Sequence, residues 1–167
     1  GGWIEGAEFS PTTDKFITLA KDGIARMFDT ETGKLLHSNQ YGAEFGGQCA
    51  FSNDGDIYVL YCLFGMDSQT PIAYDMKTGK KLFNLKHSSG VNNLSFTEDD
   101  QHIISASLDY TAKIWDRNDV QFPLQSYSVG SRVASVLHKG THPNRIFTIS
   151  LDGNIYVYDK DSALFVD

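Results

Sequence analysis

Short apolar runs alternate with polar turns along the whole chain, and no stretch repeats its apolar residues at helical spacing. Four units share one layout. An apolar strand opens each, at Ile4 to Ser10, Gly46 to Ser52, Val91 to Thr97 and Val133 to His138. A polar turn follows: Pro11-Thr12-Thr13-Asp14, Asn53-Asp54-Gly55, Glu98-Asp99-Asp100, and the longer Lys139 to Asn144. Next comes a run rich in apolar and small residues, at Phe16 to Ala20, Ile57 to Phe64, Ile103 to Ser107 and Ile146 to Ser150. These runs barely alternate, which predicts strands buried on both faces, in sheets packed between other sheets. A tight turn with Asp then leads to a strand that ends in an aromatic-Asp pair. Two units go on through Thr32-Gly33-Lys34 and Thr78-Gly79-Lys80, turns into a fourth strand. The pattern predicts an all-β chain of about sixteen short strands, four per repeat.

The aromatic-Asp pairs are Phe28-Asp29, Tyr74-Asp75, Trp115-Asp116 and Tyr158-Asp159, spaced 46, 41 and 43 residues apart. The third unit is the richest in motif. It opens with His87-Ser88-Ser89-Gly90-Val91 and closes with Ser105-Ala106-Ser107-Leu108-Asp109-Tyr110-Thr111-Ala112-Lys113-Ile114-Trp115-Asp116. In this period and these residues the chain resembles the WD40-repeat β-propeller family along its full length. The resemblance implies four blades, at approximately 1–41, 42–86, 87–128 and 129–167, each a four-stranded antiparallel sheet with its innermost strand first.

It also implies a structural hydrogen-bond network of His87, Ser105, Asp109 and Trp115, in which a buried Asp takes its donors from His and Ser. The first unit keeps Thr18 and Asp22 but has Phe28, and the fourth keeps Thr148 and Asp152 with Tyr158. Counting back from Tyr74 puts Phe64 and Ser68 at these positions in the second unit, beside an unusual Gly65-Met66-Asp67 stretch. Rings of this family have seven or eight blades. With Ala163 to Val166 read as an outermost strand, four blades leave no strand to latch the ends. The remaining blades are therefore expected from a longer chain or a second subunit, making this a partial or half propeller; closure as four blades alone is the third possibility.

Charge narrows the partners. A formal net charge of −7 repels phosphate, so direct nucleic-acid binding is not expected. The basic cluster Lys77, Lys80, Lys81 and Lys86 reads as a solvated outer hairpin. No apolar stretch approaches the ~18 residues of a membrane span. The two cysteines, Cys49 and Cys62, are expected out of register, with Cys49 pairing near Tyr58, too far apart for a disulfide. Two buried free thiols point to a reducing, intracellular setting, cytoplasmic or nuclear. The Asn93-Leu94-Ser95 sequon falls mid-strand and reads as chance.

Catalytic motifs are missing. No two His stand at i, i+4 on a helix, as a zinc protease needs, and neither C-x-x-C nor G-x-S-x-G occurs. Lys34 and Lys80 follow Gly without the rest of a phosphate loop, and His138 and His142 share a long turn with no further ligand. No enzyme, metal or cofactor is expected.

The expected role is a protein–protein interaction scaffold, with partners on the top face of the propeller. Residues just before each innermost strand fall on that face in WD40 relatives: Trp3, Phe45, Gly90 and Arg132. Trp and Arg are the types most enriched in binding hot spots. Residues before each turn Asp, Lys21, Leu108 and Leu151, are expected to rim the same face, the two leucines exposed. Trp3 and Phe45 can equally pack between blades. The alternatives are a propeller enzyme of lactonase or quinoprotein type, and a subunit of a ribonucleoprotein complex.

Overall fold

The computed structural model describes residues 2–42, 45–64, 70–138 and 144–159. The described chain is all β and falls into two compact units, residues 1–90 and 91–167. The first unit holds two four-stranded antiparallel sheets. One runs β1 (Ile4–Phe9), β2 (Lys15–Ala20), β3 (Ile24–Asp29) and β4 (Leu35–Gln40). The other runs β5 (Phe45–Phe51), β6 (Ile57–Phe64), β7 (Ile72–Asp75) and β8 (Lys81–Asn84). The second unit holds β9 (Val91–Phe96), β10 (His102–Ser107), β11 (Thr111–Asp116) and β12 (Gln125–Ser128), then β13 (Val133–Leu137), β14 (Arg145–Ser150) and β15 (Ile155–Asp159). Strands that follow one another in sequence pair in every sheet. The segment Ala163 to Val166, expected as an outermost strand, lies outside the described residues.

Two local devices recur among the sheets. The Ser or Thr at the end of the innermost strand closes the first turn. Ser10, Ser52 and Thr97 are buried. Their hydroxyls accept the N–H of Lys15, Ile57 and His102 at 3.2, 3.0 and 3.0 Å. They donate to the turn carboxylates Asp14, Asp54 and Asp99 at 3.1, 2.7 and 2.6 Å. The Asp of the aromatic-Asp pair caps the turn into the fourth strand. Asp29 accepts the Thr32 N–H and hydroxyl at 2.7 and 2.5 Å, and Asp75 accepts those of Thr78 at 2.7 and 2.6 Å. Gly33 and Gly79 complete these turns at φ of 66° and 67°, where a side chain is disfavoured.

In the first unit the sheets stack face to face. Ile17, Leu19, Ala25 and Met27 from one share a core with Cys49, Tyr58, Leu60, Cys62 and Tyr74 from the other. Tyr41, between the sheets in sequence, joins that core and donates its hydroxyl to the Ala20 carbonyl at 3.0 Å. β4 covers the second sheet: the Tyr58 hydroxyl donates to Asn39 Oδ1 at 2.6 Å, and the Tyr74 hydroxyl to the Gln40 carbonyl at 3.0 Å. The second unit repeats the arrangement, with Ile104, Ile114, Tyr127, Val136, Ile146 and Tyr158 in one core. There the Asn92 amide donates to the Val133 carbonyl at 2.8 Å.

Two register expectations are corrected. Cys49 pairs with Leu60, and Tyr58 pairs with Phe51, because the turn that opens at Ser52 closes on Ile57, two residues further along than expected. Both cysteines are nonetheless free and buried. Leu60, not Phe64, sits at the position of Ser105, since Tyr58 faces Tyr74 as Ile103 faces Trp115. The residues between β6 and β7 outnumber those between β10 and β11, so counting back from the aromatic falls short of Leu60. Ser68 and Gly65-Met66-Asp67 lie outside the described residues. Strands β6 and β10 are buried on both faces through most of their length, whereas β2 keeps one face half-open.

Candidate functional site

In the first and last sheets the innermost strand begins beside the residue that precedes the Asp turn. In the first unit the Lys21 N–H donates to the Trp3 carbonyl at 2.8 Å. In the second, the Leu151 N–H donates to the Arg132 carbonyl at 2.9 Å. Each link fixes the backbone from which a rim side chain projects. Trp3 projects fully: it is 80% exposed, so it does not pack between the sheets. Arg132 is exposed as well, and Leu151 is 60% exposed. Leu108 is half-buried, a correction to its expected exposure. The Phe45 backbone pairs with Phe64 at the end of the β5–β6 ladder, and its side chain lies outside the described residues.

Trp3 is held in place. The Lys21 ammonium stands 5.4 Å from the centre of its ring. The same ammonium reaches Glu5 at 4.0 Å. The other Glu5 oxygen accepts the Gly46 N–H at 3.0 Å, so the chain Trp3–Lys21–Glu5–Gly46 ties one sheet to the next. Beside it, Arg26 grips Asp22 with both terminal nitrogens, at 2.8 and 3.3 Å. That pairing holds the Asp22 carboxyl down at about 2. Glu5, Gly46 and Arg26 escaped the sequence reading. The signal available for Arg26 was its position four residues after Asp22, across a tight turn. Nothing local marks Glu5, because its partners come from two other strands.

In the third sheet the indole N–H of Trp115 donates to the buried Ser105 hydroxyl at 2.9 Å, and His87 is buried. Asp109 is half-buried rather than buried, and accepts the Thr111 N–H at 3.0 Å and its hydroxyl at 2.5 Å. The Lys113 ammonium lies 5.6 Å from the Trp115 ring centre, and partial burial lowers its pKa. In the fourth sheet Thr148 holds the place of Ser105, but its buried hydroxyl has no partner among the described residues. Tyr158, in the place of Trp115, has no ring N–H to offer it.

His138 Nδ1 lies 3.1 Å from the Arg145 carbonyl, and His142 lies outside the described residues. Among the described residues, no three His, Cys, Asp or Glu side chains are grouped to hold a metal ion. None of the described residues belongs to a helix long and apolar enough to cross a membrane. Lys77, Lys80, Lys81 and Lys86 are exposed on or beside the β7–β8 hairpin.

Comparison with known proteins bears on the same features. The family described as "WD domain, G-beta repeat" matches residues 79–116, which include the third-sheet motif. WD repeat-containing protein 1 of Bos taurus is 31% identical over 153 residues, covering 89% of this chain and 24% of that protein. The guanine nucleotide-binding protein subunit beta-like protein of Encephalitozoon cuniculi is 28% identical, over 96% of this chain and 51% of that one. Pre-mRNA-processing factor 17 of Saccharomyces cerevisiae is 24% identical, over 93% and 34%. This chain thus spans between about a quarter and a half of these relatives. A chain in the crystal structure of the mitotic checkpoint complex superposes with a TM-score of 0.82 at 16% identity, over 99% of this chain and 50% of that one.

Proposed function

The chain belongs to the WD40-repeat family, and from that premise we propose that it is a scaffold for protein–protein contact, docking partners where its innermost strands begin. The observation that carries the reading is Trp3. A large aromatic side chain that is 80% exposed yet clamped by Lys21 and Glu5 is preorganised, so little side-chain entropy is lost on binding. Trp and Arg dominate interface hot spots, and Arg132 with the exposed Leu151 repeats the position in the second unit. Phe45 and Lys21 are assigned to docking with Trp3 in the first unit, and the half-buried Leu108 to docking in the second. His87, Ser105, Asp109 and Trp115 serve the fold rather than the partner.

The partners are proteins, together with further blades supplied by a longer chain or another subunit. A net charge of −7 turns contacts toward protein rather than nucleic acid, even within a ribonucleoprotein assembly. Two buried free thiols, Cys49 and Cys62, fit a reducing compartment, cytoplasmic or nuclear.

The test compares immobilised wild-type chain with Trp3→Ala and Lys81→Ala in quantitative retention of proteins from a cell extract. Proteins kept by wild type and Lys81→Ala but lost by Trp3→Ala, at unchanged melting temperature, support the reading. Equal retention by all three overturns it.

A further inference from the structure

In three of the sheets the residue directly after the turn Asp holds a left-handed backbone: Gly23, Tyr110 and Gly153, at φ of 72°, 69° and 88°. The place is equivalent in its bonding too. The Gly23 carbonyl accepts the Tyr41 N–H, and the Tyr110 carbonyl the Val129 N–H, each at 2.9 Å. Glycine adopts this conformation freely, whereas a bulky residue is strained in it. The third sheet therefore sets a tyrosine where two others set glycine. Nothing in the fold offsets that strain. The Tyr110 side chain is 50% exposed. Among the described residues its hydroxyl has no hydrogen bond and its ring no aromatic or cationic contact. A strained backbone beneath a side chain that the fold does not use points to a role toward a partner.

Backbone bonds bring two rim residues close to Tyr110. Val129, bonded to Tyr110, leads through Gly130 and Ser131 to Arg132, whose carbonyl accepts the Leu151 N–H. Arg132 and Leu151 are exposed. Gly130 is exposed as well, and apart from its chain neighbours a Cβ built there would meet only the Tyr156 hydroxyl, 3.9 Å away. The space over it is open to a partner's backbone. Charge then decides what kind of partner fits. Arg26 and Lys21 of the first unit have Asp22 and Glu5, but Arg132 has no carboxylate within ion-pair reach among the described residues. The aspartates of the two adjoining turns are engaged in those turns: Asp109 by the Thr111 N–H and hydroxyl, Asp152 by the Ser150 hydroxyl and the Asn154 N–H.

We propose that Tyr110, Arg132 and Leu151 bind an acidic peptide segment of a partner protein, with an apolar side chain of the segment against Tyr110 and Leu151 and a neighbouring carboxylate on Arg132. The guanidinium fork fixes the orientation of the carboxylate. Tyrosine supplies rigid contact area at little entropic cost. The inference rests on the docking reading for Arg132 and Leu151, and adds to it Tyr110 and the chemistry of the partner.

The experiment selects peptides from a random displayed library on the immobilised full chain, then measures their binding by fluorescence polarisation. The selected peptides are expected to share a carboxylate next to a large apolar residue. Tyr110→Gly is expected to weaken them by about 30-fold, as for a hot-spot residue. The same variant is expected to melt about 2–4 °C higher, because the backbone strain is relieved. A tyrosine that served only the fold would move the melting temperature the other way. Arg132→Ala is expected to weaken binding comparably, and Arg132→Glu to favour the same peptides with lysine in place of the carboxylate. An empty selection, peptides without the acidic residue, or a Tyr110→Gly that melts at or below the wild-type temperature overturns the proposal. Loss with Tyr110→Gly alone removes the carboxylate and overturns the proposed partner. Loss with Arg132→Ala or Trp3→Ala but not with Tyr110→Gly overturns this inference and leaves the docking reading standing. Loss with none of the three counts against both.

Discussion

The indole N–H of Trp115 ends on the hydroxyl of Ser105, 2.9 Å away and fully buried. The equivalent pair in the last sheet, Tyr158 and Thr148, lacks this bond, and the Thr148 hydroxyl has no partner among the described residues. Opposite consequences are expected. Ser105→Ala strands the indole N–H and lowers stability by about 1–3 kcal/mol. Thr148→Val removes an unpaired hydroxyl of similar volume and raises stability by about 1 kcal/mol. Urea unfolding of both variants reads the signs; equal signs would refute the contrast.

Asp109→Ala deprives Thr111 of an acceptor for both its N–H and its hydroxyl. The expected cost is about 1–3 kcal/mol, since both donors are then left in a half-buried turn. Asn in its place keeps one acceptor oxygen and is expected to recover part of the loss. A thermal melt of the Ala variant matching wild type would show that the turn does not depend on this carboxylate.

Gly33 and Gly79 separate local strain from packing. Both hold positive φ, 66° and 67°. Nothing lies within 4 Å of a Cβ built on Gly33, whereas one on Gly79 would stand 2.7 Å from the His37 ring. Gly33→Ala is expected to cost about 1–2 kcal/mol from the left-handed backbone alone. Gly79→Ala is expected to cost more, because His37 must also give up its 3.0 Å contact with the Met76 carbonyl. Equal losses in chemical denaturation would mean that the two sheets yield freely at this contact.

Acid is expected to weaken the fold through its turns. Hydrogen bonds hold Asp14 and Asp22 down at about 2, and depress Asp29, Asp75 and Asp152. A carboxyl lowered in the folded state stabilises it above the unfolded pKa, about 3.9. That contribution is lost as pH falls through the folded value. Melting temperature should therefore be level, as far as these groups decide it, from neutral pH to about pH 5 and decline toward pH 2. Asp29→Asn with Asp75→Asn should shallow the decline, and an unchanged slope would remove these turns from the explanation.

Trp3→Ala and Arg132→Ala are each expected to weaken partner binding by about 2 kcal/mol or more. Neither should change unfolding, because both side chains are exposed. Lys81→Ala should alter binding little. Calorimetry beside a melting curve tells the outcomes apart: lost stability in Trp3→Ala would return that residue to the core.

What the sequence settled by itself is everything written in short-range chemistry. The repeat period, the strand order and the turn residues are local. A Ser or Thr that closes a hairpin, or an Asp that caps the next turn, finds its partners within a few positions. The all-β architecture and the WD40 family were legible for that reason. What needed the tertiary structure was register and cover. Leu60 rather than Phe64 takes the place of Ser105, because the hydrogen-bond ladder, not the residue count, aligns strands across a longer connection. Ile17 and Ile149 read alike as apolar strand residues. Only the stacking of a second sheet makes one core and leaves the other half-open. Trp3 stands out in solvent while Leu108 is half-buried. Burial is a property of the neighbour, and the sequence of one strand does not contain its neighbour.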